Sequence, residues 1–147
     1  MDTTFTGGQL MLKTFSMIGH AVTSMTYKAE SVEDSQGQYE LTVAPVGHFQ
    51  FSYDEEDNDY LLKSKYKAEI TGTSDKSKTT AFKLEFEFTI FFELPKDTYD
   101  AIKDDDEYLN SNEWFFANFA NNLVREIGEN VFSHTSYKGL RIPSSRD

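Results

Sequence analysis

From Thr80 to Leu94 the chain alternates at period two. Phe82, Leu84, Phe86, Phe88, Ile90, Phe92 and Leu94 share one face, and Lys83, Glu85, Glu87, Thr89 and Glu93 share the other, with Phe91 the exception. Such alternation predicts a β-strand with one buried face. Tyr60 to Gly72 repeats the pattern, with Tyr60, Leu62, Tyr66, Ala68 and Ile70 set against Lys63, Lys65, Lys67 and Glu69. Folding the two stretches back about Lys76 sets Ile70 opposite Phe82 and Tyr66 opposite Phe86. Glu69 then faces Lys83, Lys67 faces Glu85, and Lys65 faces Glu87. Opposed charges favour that register, and a slip of one residue would turn them into the core.

The rest of the chain reads less cleanly. Leu10 to Glu30 holds neither period throughout: Leu10 and Leu12, then Phe15 and Met17, alternate with a change of phase. This predicts a long strand with a bulge or bend near Gly19. Ser31–Gly37 has the composition of a turn. Gln38–Tyr53 alternates again, interrupted at Ala44–Gly47, where Pro45 makes the strand either an edge or a broken one. The acidic loop DEEDND (Asp54–Asp59) leads into the hairpin, whose turn is Thr73–Thr79.

Pro95 ends the strands, and Asp97 with Asp100 marks a helix start carrying Tyr99 and Ile102. Asn110 with Glu113 forms a second capping pair. Apolar residues then recur at helical spacing to about His134, with Trp114, Phe116, Phe119 and Leu123 expected in the core. A helix of that length spans about 33 Å. The expected organisation is a flexible tail over 1–9, a single domain over 10–143 and a short tail over 144–147. Strands first and helices after give an α+β class: a four-stranded antiparallel sheet followed by a short and a long helix.

Composition removes several functions. The net charge of −11 argues against a general nucleic-acid binder. The absence of cysteine excludes a disulfide framework or a thiolate metal site. The start, MDTTFTGG, carries no signal-peptide pattern, and no apolar run reaches the length of a membrane span. A cytoplasmic protein with no membrane partner is therefore expected. The DEEDND loop lacks Gly at its sixth position and has Lys65 at its twelfth, so it is not an EF-hand. His20, His48 and His134 are scattered, and neither a nucleophile elbow nor a phosphate loop is present. No catalytic residue, metal or cofactor is expected. The unusual quantity is aromatic content, 15% of the chain, which points to an exposed apolar surface or an oligomer interface.

Two segments resemble the SecB family of protein-export chaperones: TAFKLEFE (Thr80–Glu87), similar to its fourth strand, and WFFANFANNLVREIGENVFSHTSYKGLRIP (Trp114–Pro143), similar to its long helix and Pro-bearing exit. The resemblance implies a homo-oligomer, a dimer of dimers, that binds unfolded or precursor polypeptides in aromatic surface grooves and has no enzymatic activity. The clients would be those of protein export or of a toxin–antitoxin system. Phe49, Phe51, Phe91, Tyr99 and Phe115 are the implied client-binding residues. Glu85 matches the acidic docking position for the translocation ATPase, although Lys83 stands where the family has an apolar residue. Flexible Met and planar rings can repack around many sequences, which suits a promiscuous binder. The alternative is a phage or bacterial assembly protein that uses the same surface for one dedicated partner.

Overall fold

A computed structural model describes residues 14–30, 37–75, 78–135 and 137. The strands are β1 (Ser16–Ala29), β2 (Gly37–Pro45), β3 (Gln50–Asp54), β4 (Asp59–Ser74) and β5 (Thr80–Leu94). The helices are α1 (Lys96–Ile102), α2 (Asp106–Ser111) and α3 (Glu113–Phe132). The class is α+β, an antiparallel sheet followed by helices. The expected tails at 1–9 and 144–147, with Leu10 and Leu12, lie outside the described residues.

The sheet order is β1-β5-β4-β2, and β3 also pairs with β4. The strand expected over Gln38–Tyr53 is thus two strands sharing one edge of β4. β2 ends where Pro45 pairs with Tyr66, and β3 resumes where Gln50 pairs with Lys63. Pro45 has no amide proton, and Gly47 adopts a positive φ of 71°, so the chain leaves the ladder between them. β1 is the long bulged strand, with register shifts between Met17 and Gly19 and between Val22 and Ser24.

The β4–β5 hairpin keeps its expected faces but not its expected pairing. Tyr66 lies opposite Phe88 and Ile70 opposite Leu84, a displacement of two residues. Period two permits this, because such a slip leaves every side chain on its own face. Gly72 selects the observed register: the Phe82 ring lies over it, and a Cβ there would come within 2.2 Å of the ring. The charge pairs become diagonal. Lys65 reaches Glu87 at 3.7 Å and Lys83 reaches Glu69 at 3.2 Å, whereas the expected Lys67–Glu85 pair does not form. Glu69 and Glu85 stand directly opposite each other, and Lys83 joins them, meeting Glu85 at 2.8 Å.

The even positions of β5 face the helices. Phe92 packs on Phe116 of α3 at 5.3 Å between ring centroids, and Phe82 packs on Phe132 at 5.0 Å, so α3 runs antiparallel to β5. Phe116, Ala120, Leu123, Val124 and Phe132 form its buried stripe. Trp114 is not part of this core, being 57% exposed. It stands two residues before Phe116, about 200° around a helix, and so points away from the sheet. Phe119 is half-buried against Phe92. α1 begins directly after Pro95 without a side-chain cap. The cap expected of Asn110 and Glu113 is replaced by an additional helix, α2, whose N-cap Asp105 accepts from the Tyr108 amide at 2.9 Å. Asn112 joins α2 to α3 and donates its side-chain amide to the Tyr108 carbonyl at 2.8 Å.

Candidate functional site

The partly exposed rings on the helix side of the sheet form two groups. The first is built by the β3–β4 hairpin and α1. Tyr53 and Tyr60 are directly opposed across the hairpin, with ring centroids 4.6 Å apart. Leu94 pairs with Tyr60, and Pro95 then turns the chain into α1, which lowers Tyr99 onto Tyr60 at 4.8 Å. Phe51 meets Tyr99 edge-on at 5.6 Å. Lys103 lies over the Tyr99 ring at 5.8 Å. The acidic turn Asp54–Asp59 borders this group and is held by the Asp54 carboxylate, which accepts from the amides of Glu56 and Asp57. An aromatic surface with carboxylates at its edge favours apolar segments that carry basic residues.

The second group gathers at the start of α3. Phe15, buried, packs edge-on against Phe92 and Phe116 at 6.3 and 5.5 Å. Phe49, from the loop between β2 and β3, meets Phe116 at 4.9 Å. Phe115 lies within 6.1 Å of Phe15 and 5.4 Å of Phe119, and Trp114 extends the row outward from Phe115.

Of the sequence-derived candidates, Phe51 and Tyr99 therefore share the first group, and Phe49 and Phe115 share the second. Phe91 belongs to neither. It lies on the opposite face of the sheet, beneath the Lys63 ammonium. Glu85 also lies on that outer face. The Lys83 ammonium beside it holds its carboxyl below the usual carboxylate range, and Glu85 and Glu69 together raise Lys83.

Sequence reasoning missed Phe15, Tyr53, Tyr60 and Trp114, and above all it missed the state of β1. Met17, Val22 and Met25 lie opposite Phe92, Phe88 and Phe86 and so share the helix-side face, yet they are 39%, 41% and 42% exposed. Tyr27, packed on Phe132 at 6.2 Å, is the one side chain of β1 beyond its bulged start that α3 reaches well. No Lys, Arg, Asp or Glu falls between Ser16 and Tyr27. The available signal was this lack of charge over most of a strand, up to Lys28, because strands meant to end a sheet usually carry it.

Buried polarity is sparse. The hydroxyls of Ser64 and Tyr66, two residues apart on the core face of β4, have no hydrogen-bond partner among the described residues. Burial pushes the Tyr66 phenol up to about 12, an effect that the nearby Ser64 hydroxyl offsets in part and the Glu113 charge reinforces. Among the described residues no group of three His, Asp or Glu side chains is arranged to hold a metal ion, and no helix is long and apolar enough to cross a membrane.

No family model and no curated protein matches the chain. Among solved structures the chain is similar to the Mycobacterium tuberculosis SecB-like chaperone Rv1957, determined in complex with a ChAD peptide from the Rv1956 HigA1 antitoxin. The two superpose with a TM-score of 0.63 over 89% of this chain and 90% of that one, at 12% sequence identity. The likeness is one of fold: this chain has a SecB-like architecture.

Proposed function

We propose that this protein is a SecB-like chaperone that holds unfolded polypeptides on the helix-side aromatic surface. The observation that carries the reading is the joining of exposed apolar elements on that face. The Tyr53–Tyr60–Tyr99–Phe51 group, the Phe115–Trp114 row and the uncovered Met17–Val22–Met25 stripe leave partly exposed rings and thioethers on one side of a single domain. A monomer of this size rarely leaves so much apolar surface open without a partner for it. Binding by such a surface is non-directional, which lets unrelated sequences compete for it. The acidic surround keeps the protein soluble and draws basic client segments. No catalytic group is needed, and a cytoplasmic location fits the reading.

Self-association belongs to the same proposal. Among the described residues β1 pairs along one side only, with β5, so its other side is a free edge there, uncharged from Ser16 to Tyr27 and suited to pairing with a second copy. The similarity to a chaperone bound to an antitoxin peptide supports a client of the toxin–antitoxin type over general export. Docking of a translocation ATPase at Glu85 finds less support, because Lys83 already holds that carboxylate.

The test is suppression of aggregation. Stoichiometric protein should delay the aggregation of several unrelated unfolded clients, and Phe51→Ala combined with Tyr99→Ala should weaken the delay. Delay of one client alone would favour a dedicated assembly partner. Failure with every client would remove the chaperone reading.

A further inference from the structure

We propose that the outer face of the sheet carries a second docking site, for an acidic extended segment of another protein, centred on Lys63, Phe91 and Gly19. The starting point is an imbalance. The chain has 25 acidic and 14 basic side chains, so a lysine on its surface has many carboxylates to choose from. On this face Lys65 meets Glu87 and Lys83 meets both Glu69 and Glu85, whereas Lys28, Lys63 and Lys67 meet none among the described residues. Lys63 has no ion-pair partner among the described residues. Its ammonium lies 5.8 Å from the centroid of the Phe91 ring, the one aromatic on an otherwise polar row.

The surroundings leave room for a partner. Phe91 is paired with Lys63 on one side and Gly19 on the other. A Cβ built on Gly19 would meet nothing within 4 Å among the described residues, so the ring stands beside an open floor there. The β1 register breaks at this point, between Met17 and Gly19, and Ile18 in the break is 53% exposed. Bulges of this kind re-aim side chains beside functional surfaces. The next row, Ala21–Thr89–Lys65, is small-sided apart from its lysine.

Charge complementarity identifies the occupant. A carboxylate set over the floor beside Phe91 would give Lys63 its missing counter-ion. Lys63 and Lys65 are neighbours on one face of β4, about 7 Å apart along the strand, which is also the spacing of alternate side chains in an extended segment. A segment with acidic residues at alternate positions can therefore set one carboxylate on Lys63 and a second near Lys65, which already lies 3.7 Å from Glu87. The net charge of −11 disfavours a dense polyanion such as nucleic acid, whereas a short acidic segment needs only local neutralisation. The site lies on the face opposite the client surface, so both can be filled together.

A short fluorescein-labelled peptide of alternating Glu and Thr serves as the probe, read by anisotropy at low ionic strength. The expected result is saturable binding, weakened on the order of tenfold by Lys63→Glu and by added salt. Phe91→Ala and Gly19→Val should each weaken it while leaving the circular dichroism spectrum unchanged, and an unfolded client should not displace it. Absence of saturable binding, full affinity in Lys63→Glu, displacement by the unfolded client, or tighter binding of a single-stranded oligonucleotide would each overturn the proposal. Because aggregation suppression is measured separately, either reading can fail alone.

Discussion

β5 and β1 are neighbouring strands of 15 and 14 residues, hydrogen-bonded to each other along nearly their whole length. Their side chains meet opposite fates. On β5, Phe86, Phe88, Ile90 and Phe92 are at most 1% exposed, and Lys83, Glu85 and Glu87 on its other face take part in ion pairs. On β1, Met17, Ile18, Val22 and Met25 are all about half exposed and nothing charged guards them. A shared ladder with unequal burial separates two roles. β5, with β4 and α3, holds the domain together by apolar burial. β1 is held by its backbone and offers its side chains outward.

The largest expected effect breaks this comparison at its buried side. Phe116→Ala removes a fully buried ring that packs on Phe15, Phe49 and Phe92, and should cost about 3–5 kcal/mol in urea unfolding. Val22→Ala on β1 should cost less than about 1 kcal/mol, because its side chain is 41% exposed. Equal losses at the two positions would mean that β1 is covered in solution.

Tyr66 gives the next effect. Its folded pKa, about 12, lies above the ordinary value of 10.0, so the fold favours the protonated phenol. The resulting stability is fully present below pH 10 and is lost as pH rises through 12, a change of about 2–3 kcal/mol. Urea melts across that range should show the loss, and Tyr66→Phe should remove most of it. Since the hydroxyl has no hydrogen-bond partner among the described residues, the substitution should change stability at neutral pH by less than about 1 kcal/mol.

The glycines supply a third contrast. Gly72→Ala drives a methyl into the Phe82 ring and should cost about 1–3 kcal/mol. Gly19→Ala meets open space and should be neutral or stabilising by about 0.5 kcal/mol. The smallest effect on folding, and a large one on assembly, is expected of Val22→Lys with Met25→Lys. Sedimentation should show a shift toward monomer while thermal unfolding of the domain barely moves.

The legible and illegible parts of the fold divide along physical lines. The alternation from Phe82 to Leu94 identified the buried face because side-chain period is a local property. The exact pairing was not legible from charge, since a slip of two residues keeps every face. Gly72, small enough to lie under Phe82, carried that information. The uncovered state of β1 depends on how far α3 reaches across the sheet, which no local pattern encodes. Phe51 and Tyr99 were found as aromatics, but their meeting depends on the turn at Pro95. Trp114 was misplaced because an aromatic beside Phe115 and Phe116 fits a core stripe by composition and leaves it only by angle.

The central claim is that the exposed helix-side rings hold unfolded polypeptide, and the single tryptophan, Trp114, stands among them. Titration with a permanently unfolded, tryptophan-free polypeptide should shift the Trp114 emission to the blue and saturate near stoichiometric client. Phe115→Ala should shift the titration to higher client concentration. An emission spectrum that stays unchanged through micromolar client, with no complex detected by sedimentation, would contradict the account.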